Sequence, residues 1–140
     1  MKSLFVKLGV ILFIGIVIFG CAGMWGARWR LYDRDDEYIG YYDAEGITHP
    51  SKHIVRVWQR WEYTDKGVIE KVKELGKKYE NINQTKVLNE INCSEKKWRT
   101  LSLIHYSKEG EVISSVSQEG QWDYIVPNSR VGALYKAVCK

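Results

Sequence analysis

From Lys86 to Val116 the chain reads KVLNEINCSEKKWRTLSLIHYSKEGEVISSV, three apolar-rich runs of strand length parted by Ser94-Glu95-Lys96-Lys97 and Ser107-Lys108-Glu109-Gly110. Runs of Val, Ile, Leu, Thr and Tyr between such polar breaks predict consecutive antiparallel strands, a β-meander. In the second run Trp98, Thr100, Ser102, Ile104 and Tyr106 fall on one face and Arg99, Leu101, Leu103 and His105 on the other. Apolar groups on both faces suit a central strand covered in part on each side. Upstream, Ile54 to Tyr63 (IVRVWQRWEY) alternates, with Val55, Val57, Gln59, Trp61 and Tyr63 against Arg56, Trp58, Arg60 and Glu62. A period of two with one charged face predicts a half-buried strand. Before it, Tyr38–Asp43 is strand-like and Asp43-Ala44-Glu45-Gly46 is a turn signal, with Ile47 and Thr48 restarting an extended segment. A break is expected at His49-Pro50-Ser51, because proline removes a donor and restricts the residue before it.

Two stretches carry the helical period instead. Val68, Val72, Leu75 and Tyr79 recur at helical spacing among Lys and Glu, which predicts a helix from Lys66 to about Glu80 capped by Thr64 or Asp65. Near the end, Trp122 to Val126 is a short extended piece stopped by Pro127, and Asn128 or Ser129 caps a helix to about Val138. Its apolar stripe is Val131, Leu134, Tyr135 and Val138. The predicted class is α+β: a single antiparallel, meander-rich sheet of about six strands, with a C-terminal helix packed on it and one inserted helix.

The N-terminus changes the picture by fixing a compartment. Lys2 and Lys7 precede the uncharged run Leu8–Phe19, the length of a secretory h-region and short of the ~20 residues of a spanning helix. It ends in Ile18-Phe19-Gly20-Cys21, which resembles the lipobox of bacterial lipoproteins; the alternative is an uncleaved anchor. On this reading residues 1–20 are a signal peptide, Cys21 is lipidated and anchors the protein to a membrane, and residues 21–36 are a tether. Trp29 and Tyr32 then pack on the domain edge, or Trp25 and Trp29 lie in the lipid interface beside the anchor, and residues 37–140 form the domain. Ala22 follows Cys21, and no Asp-type retention signal is present, so the outer membrane is the expected address. Which face of it the domain occupies stays open.

Three cysteines are odd in number for an exported protein. Lipidation accounts for Cys21, leaving Cys93 and Cys139 with a single intramolecular pairing, and outside the cytoplasm a disulfide persists. The alternative is two free thiols, one of them catalytic beside a histidine such as His105. The net charge of +4 falls to about +2 once Lys2 and Lys7 leave with the signal, too mild to imply a polyanion partner. Six Trp and nine Tyr beside only two Pro describe a folded domain.

Candidate chemistry is sparse. His49 and His53 have a helix-type metal spacing, but Pro50 disfavours a helix and no carboxylate or cysteine joins them. G-x-S-x-G, H-E-x-x-H, P-loop and dinucleotide glycine patterns are absent, so no catalytic residue, metal or cofactor is assigned. Arg56, Trp58 and Arg60 project together and would stack on bases or sugars; the plainer expectation is Trp58 covered by one of the helices. Lys66, Lys71, Lys73, Lys77 and Lys78 on the inserted helix are offset by Glu70, Glu74 and Glu80. Of these, Lys71, Lys73, Lys77 and Lys78 are the candidate partner-binding residues.

Tyr41-Tyr42-Asp43, Val57-Trp58, Glu90-Ile91-Asn92-Cys93, Arg99, Leu101-Ser102, Tyr106, Gly110, Trp122, Ile125, Pro127-Asn128-Ser129 and Val138-Cys139 together resemble the surface-adhesin protein E domain family, over roughly Glu37 to Lys140. Asn92 stands where the family often has Asp, and the Lys-rich helix looks like an insertion. The resemblance implies an antiparallel sheet with a C-terminal helix, a disulfide, a lipid anchor and binding of host extracellular proteins. Two functions are therefore expected in competition: an adhesin-like, non-catalytic module with a protein partner and no nucleic acid, or a periplasm-facing envelope protein, structural or inhibiting a lysozyme-type hydrolase.

Overall fold

The computed structural model describes residues 28–140. The expected signal peptide, Cys21 and the first part of the tether lie outside the described residues. In chain order the elements are β1 Trp29–Arg34, β2 Tyr38–Asp43, β3 Thr48–Ser51, β4 Ile54–Tyr63, helix α1 Asp65–Leu75, a 3-10 turn Lys77–Tyr79, β5 Ile82–Asn92, β6 Lys97–Ser107, β7 Val112–Val116, β8 Asp123–Tyr124 and helix α2 Arg130–Val138. All eight strands belong to one sheet, with main path β1-β2-β4-β5-β6-β7; β3 pairs with the start of β4 and β8 with the start of β6. Every pairing is antiparallel. The α+β class, the inserted helix and the C-terminal helix are thus as the pattern predicts.

Four local expectations need correction. The stretch from Trp29, read as tether, is edge strand β1, paired from Trp29↔Asp43 to Arg34↔Ile39. Its polar residues suit an edge, where one side of the strand meets solvent. The break at Pro50 falls inside β3, which is held to β4 only at Thr48↔Arg56 and Ser51↔Ile54; proline is tolerated on such an edge. The inserted helix stops at Leu75, not near Glu80, because Gly76 takes φ +101° and its N–H closes on Val72 O. The last correction concerns β6. The register shifts between Leu88↔Ser102 and Asn89↔Thr100, a β-bulge that leaves Leu101 as the extra residue. One extra residue reverses the alternation beyond it. Trp98 and Thr100 therefore share a face with Leu103 and His105, while Arg99 joins Ser102, Ile104 and Tyr106.

The helices sit on the Val55–Val57 side of the sheet. Leu134 of α2, wholly buried, packs on Tyr42, Val55, Val57 and Ile91, with Trp98, Ile125 and Tyr135 at the margin. Ser129 caps α2 by accepting a hydrogen bond from Gly132 N (3.1 Å). Arg130 ties the helix start to Asp35 (3.0 Å) and lies 3.8 Å over the Tyr38 ring. The helix end is fastened by a Cys93–Cys139 disulfide that joins the end of β5 to the residue after α2. All of these contacts lie within residues 28–140.

At the other end of this face, α1 is capped by Thr64, whose Oγ1 accepts from Gly67 N (3.1 Å). Glycine is required at 67, since a Cβ there would lie 1.8 Å from Glu37 O. The 3-10 turn sets the Tyr79 ring edge-on to His105, 5.3 Å between centroids. Below it a buried chain links Tyr63 OH to Thr85 Oγ1 (2.8 Å) and Thr85 Oγ1 to His105 Nδ1 (2.7 Å). Burial first, and the nearby Lys71 second, hold the His105 imidazole below its ordinary pKa.

Candidate partner-binding face

With both helices on one side, the other side of the sheet is uncovered by any helix of the described residues. Its side chains are set by register. Tyr41, Arg60, Lys86 and Ile104 form one row across β2, β4, β5 and β6; Trp58, Leu88 and Ser102 form the next; Arg56, Glu90 and Arg99 form a third. Trp58 is therefore not covered by either helix, contrary to the plainer expectation. The cause is the two-residue period of β4: the helices pack on Val55, Val57 and Gln59, so Arg56, Trp58, Arg60 and Glu62 turn away.

The face interleaves rings and cations. The Arg60 guanidinium carbon is 4.8 Å from the Trp29 ring centroid and 4.8 Å from that of Tyr41. Lys86 Nζ stands 5.4 Å from the Tyr106 ring and 6.0 Å from Trp29. Each such contact is worth about 0.5–1 kcal/mol at an exposed site, and together they hold long side chains in fixed poses. A cleft of about 300 Å³ opens among Trp29, Trp58, Lys86, Ile104 and Tyr106, with Arg28 and Asp43 completing its wall.

The carboxylates here are committed. Asp43, 1% exposed, takes Arg28 Nε (2.8 Å) and Nη2 (2.6 Å) on one oxygen and the Glu45 and Gly46 N–H groups on the other. That hydrogen bond, more than charge alone, raises the Arg28 pKa. Glu90, 2% exposed, is gripped by two guanidiniums: Arg56 on Oε2 (2.9 and 3.2 Å) and Arg99 on Oε1 (2.7 and 2.9 Å). Arg99 also pairs with Glu119 and lies 4.6 Å over the Trp122 ring, binding the loop after β7 to this side. Arg60 pairs with Glu62 at 3.0 Å. The surface left for a partner is aromatic and cationic, the residue types that dominate binding hot spots.

The four lysines named from sequence lie on the helix-bearing side, apart from this face. Lys71 and Lys73 are paired to Glu74 and Glu70, each at 2.8 Å. Lys77 and Lys78 are exposed on the 3-10 turn, with Lys78 Nζ 5.7 Å from the Tyr79 ring. His49 and His53 are exposed on the β3–β4 hairpin, and no group of three His, Cys, Asp or Glu suited to a metal occurs among the described residues. No helix of the described residues is long and apolar enough to cross a membrane. Trp29, Tyr41, Lys86 and Tyr106 were missed as site residues. Trp29 was hidden in the supposed tether, and the two tyrosines entered only as strand residues and as part of the family pattern; Lys86 was legible, since it falls on the polar phase of β5.

The molecule is thus an α+β architecture: a single antiparallel sheet with helices on one face, an aromatic and cationic surface on the other and a disulfide near the chain's end. The chain belongs to the surface-adhesin protein E family, whose model matches residues 29–140. The family points to an adhesin-like protein of the cell envelope or surface, and to binding rather than catalysis. No curated protein and no solved structure matches the chain.

Proposed function

We propose that the protein is a lipoprotein, anchored through Cys21 in the outer membrane, that binds a host extracellular protein through the open sheet face. The observation that carries this reading is the uncovered surface built by Trp29, Tyr41, Trp58, Arg60, Lys86 and Tyr106. Rigid rings and an arginine held between two of them lose little conformational freedom on binding, which favours affinity. Lys71, Lys73, Lys77 and Lys78 add electrostatic steering from the other side of the domain, affecting rate more than affinity.

Two experiments test it on intact cells. Protease added to the medium should remove the domain, and Cys21→Ser should move the protein out of the membrane fraction. Trp58→Ala combined with Arg60→Ala should cut attachment to immobilised extracellular-matrix proteins at least tenfold at equal surface level. A domain protected from external protease would favour the periplasm-facing envelope or hydrolase-inhibitor role. Unchanged attachment by the double variant would remove the face from recognition.

A further inference from the structure

We propose that the space between α2 and the helix-bearing face of the sheet binds a small neutral molecule with an aromatic or branched apolar body and one carbonyl-type oxygen. The cavity is about 460 Å³, within the ordinary range of ligand sites. It lies where the start of α2, at Arg130 and Val131, bridges the sheet, and its walls include Trp61, Val87, Trp98 and Leu103. This is a different surface from the adhesive face, and the inference does not rest on that reading.

The polar group that selects the ligand is Asn89. It is wholly buried and lines the cavity. Thr100 Oγ1 donates to its Oδ1 at 2.9 Å, and its Nδ2 has no hydrogen-bond partner among the described residues. An unsatisfied buried donor costs about 1–3 kcal/mol, and an oxygen acceptor entering from the cavity, met by a turn of the sealed amide toward it, would recover it. Charge is not what the site asks for. Arg130, the cation in the wall, is already held by Asp35 (3.0 Å) and Glu37 (3.7 Å). The space would take about fifteen waters at ~30 Å³ each, yet walls of Val, Leu and indole offer them few partners. Water held so poorly is displaced with gain by an apolar body.

A matched pair of probes tests this on soluble residues 28–140: acetophenone and α-methylstyrene, alike in shape, of which only the first carries an acceptor oxygen. Nitrogen-15 NMR should show acetophenone shifting the Asn89 side-chain amide and the Trp61 indole, with binding about tenfold tighter than that of α-methylstyrene. Asn89→Leu should abolish the preference while α-methylstyrene still binds. Should that variant fail to fold, Leu103→Trp, which fills the cavity, should lose both probes. Equal affinities in the parent protein, no shift at Asn89, or a cavity that takes up only water would overturn the proposal.

Discussion

Glu90 offers the sharpest test of how the open face is held. The carboxylate is 2% exposed and accepts four charge-assisted hydrogen bonds from two guanidiniums. Glu90→Ala would strand both arginines, and removing one partner of a buried pair destabilises by about 3–5 kcal/mol. The two cations do not suffer equally. The Arg56 side chain is 42% exposed and can return to water, whereas that of Arg99 is 21% exposed and keeps Glu119 and the Trp122 ring. Both escapes lower the penalty, to about 2–3 kcal/mol. Urea unfolding of residues 28–140 should show the midpoint falling by about 1–2 M with the slope unchanged. Arg99→Ala should destabilise more than Arg56→Ala. A loss below about 1 kcal/mol for Glu90→Ala, or the reverse order of the arginines, would refute the reasoning, since surface pairs are worth that little.

Three further outcomes follow from the same geometry. Reducing the Cys93–Cys139 bond, whose ends are 46 residues apart, should lower stability by about 4 kcal/mol on the loop-entropy account, measured by urea unfolding with and without reductant. His105 is held neutral by burial, with Lys71 and Lys78 opposing its charge and Glu74 favouring it. Its contribution is therefore present above the unfolded value of 6.5 and lost as pH falls from there toward the lowered folded value; His105→Gln should flatten that slope in unfolding midpoints taken across it. Gly67→Ala would drive a methyl group to 1.8 Å from Glu37 O, a clash that outweighs the ~1 kcal/mol helix gain and should lower stability by about 2 kcal/mol in thermal melts.

Periodicity read β4 to the residue and found α2 and its cap, because an alternating or 3.6-residue apolar pattern directly reports which side is buried. What it missed were features set by pairing partners. The bulge at Leu101 is invisible along β6 alone, since it exists only against Leu88 and Asn89. Trp29 looked like tether because an edge strand with one wet side need not alternate. The place of half-buried Trp58 on the face without helices depended on which side both helices chose, and the decisive contacts are non-local, Leu134 on Val57 and Tyr79 on His105. The Cys93–Cys139 pairing was legible from parity, whereas the buried Glu90 grip was not, because its two arginines sit 34 and 9 residues away.

The central claim is that recognition belongs to the open sheet face and not to the lysines of α1 and the 3-10 turn. Surface-immobilised extracellular-matrix protein and soluble residues 28–140 allow both rates of binding to be followed against salt. Trp58→Ala should speed dissociation and weaken binding at least tenfold, compared well below the variant's melting temperature because truncating this half-buried ring on β4 also costs stability. Reversing Lys71, Lys73, Lys77 and Lys78 together should only slow association and reduce its salt dependence. Binding that survives Trp58→Ala intact but is lost on reversing the four lysines would contradict the account.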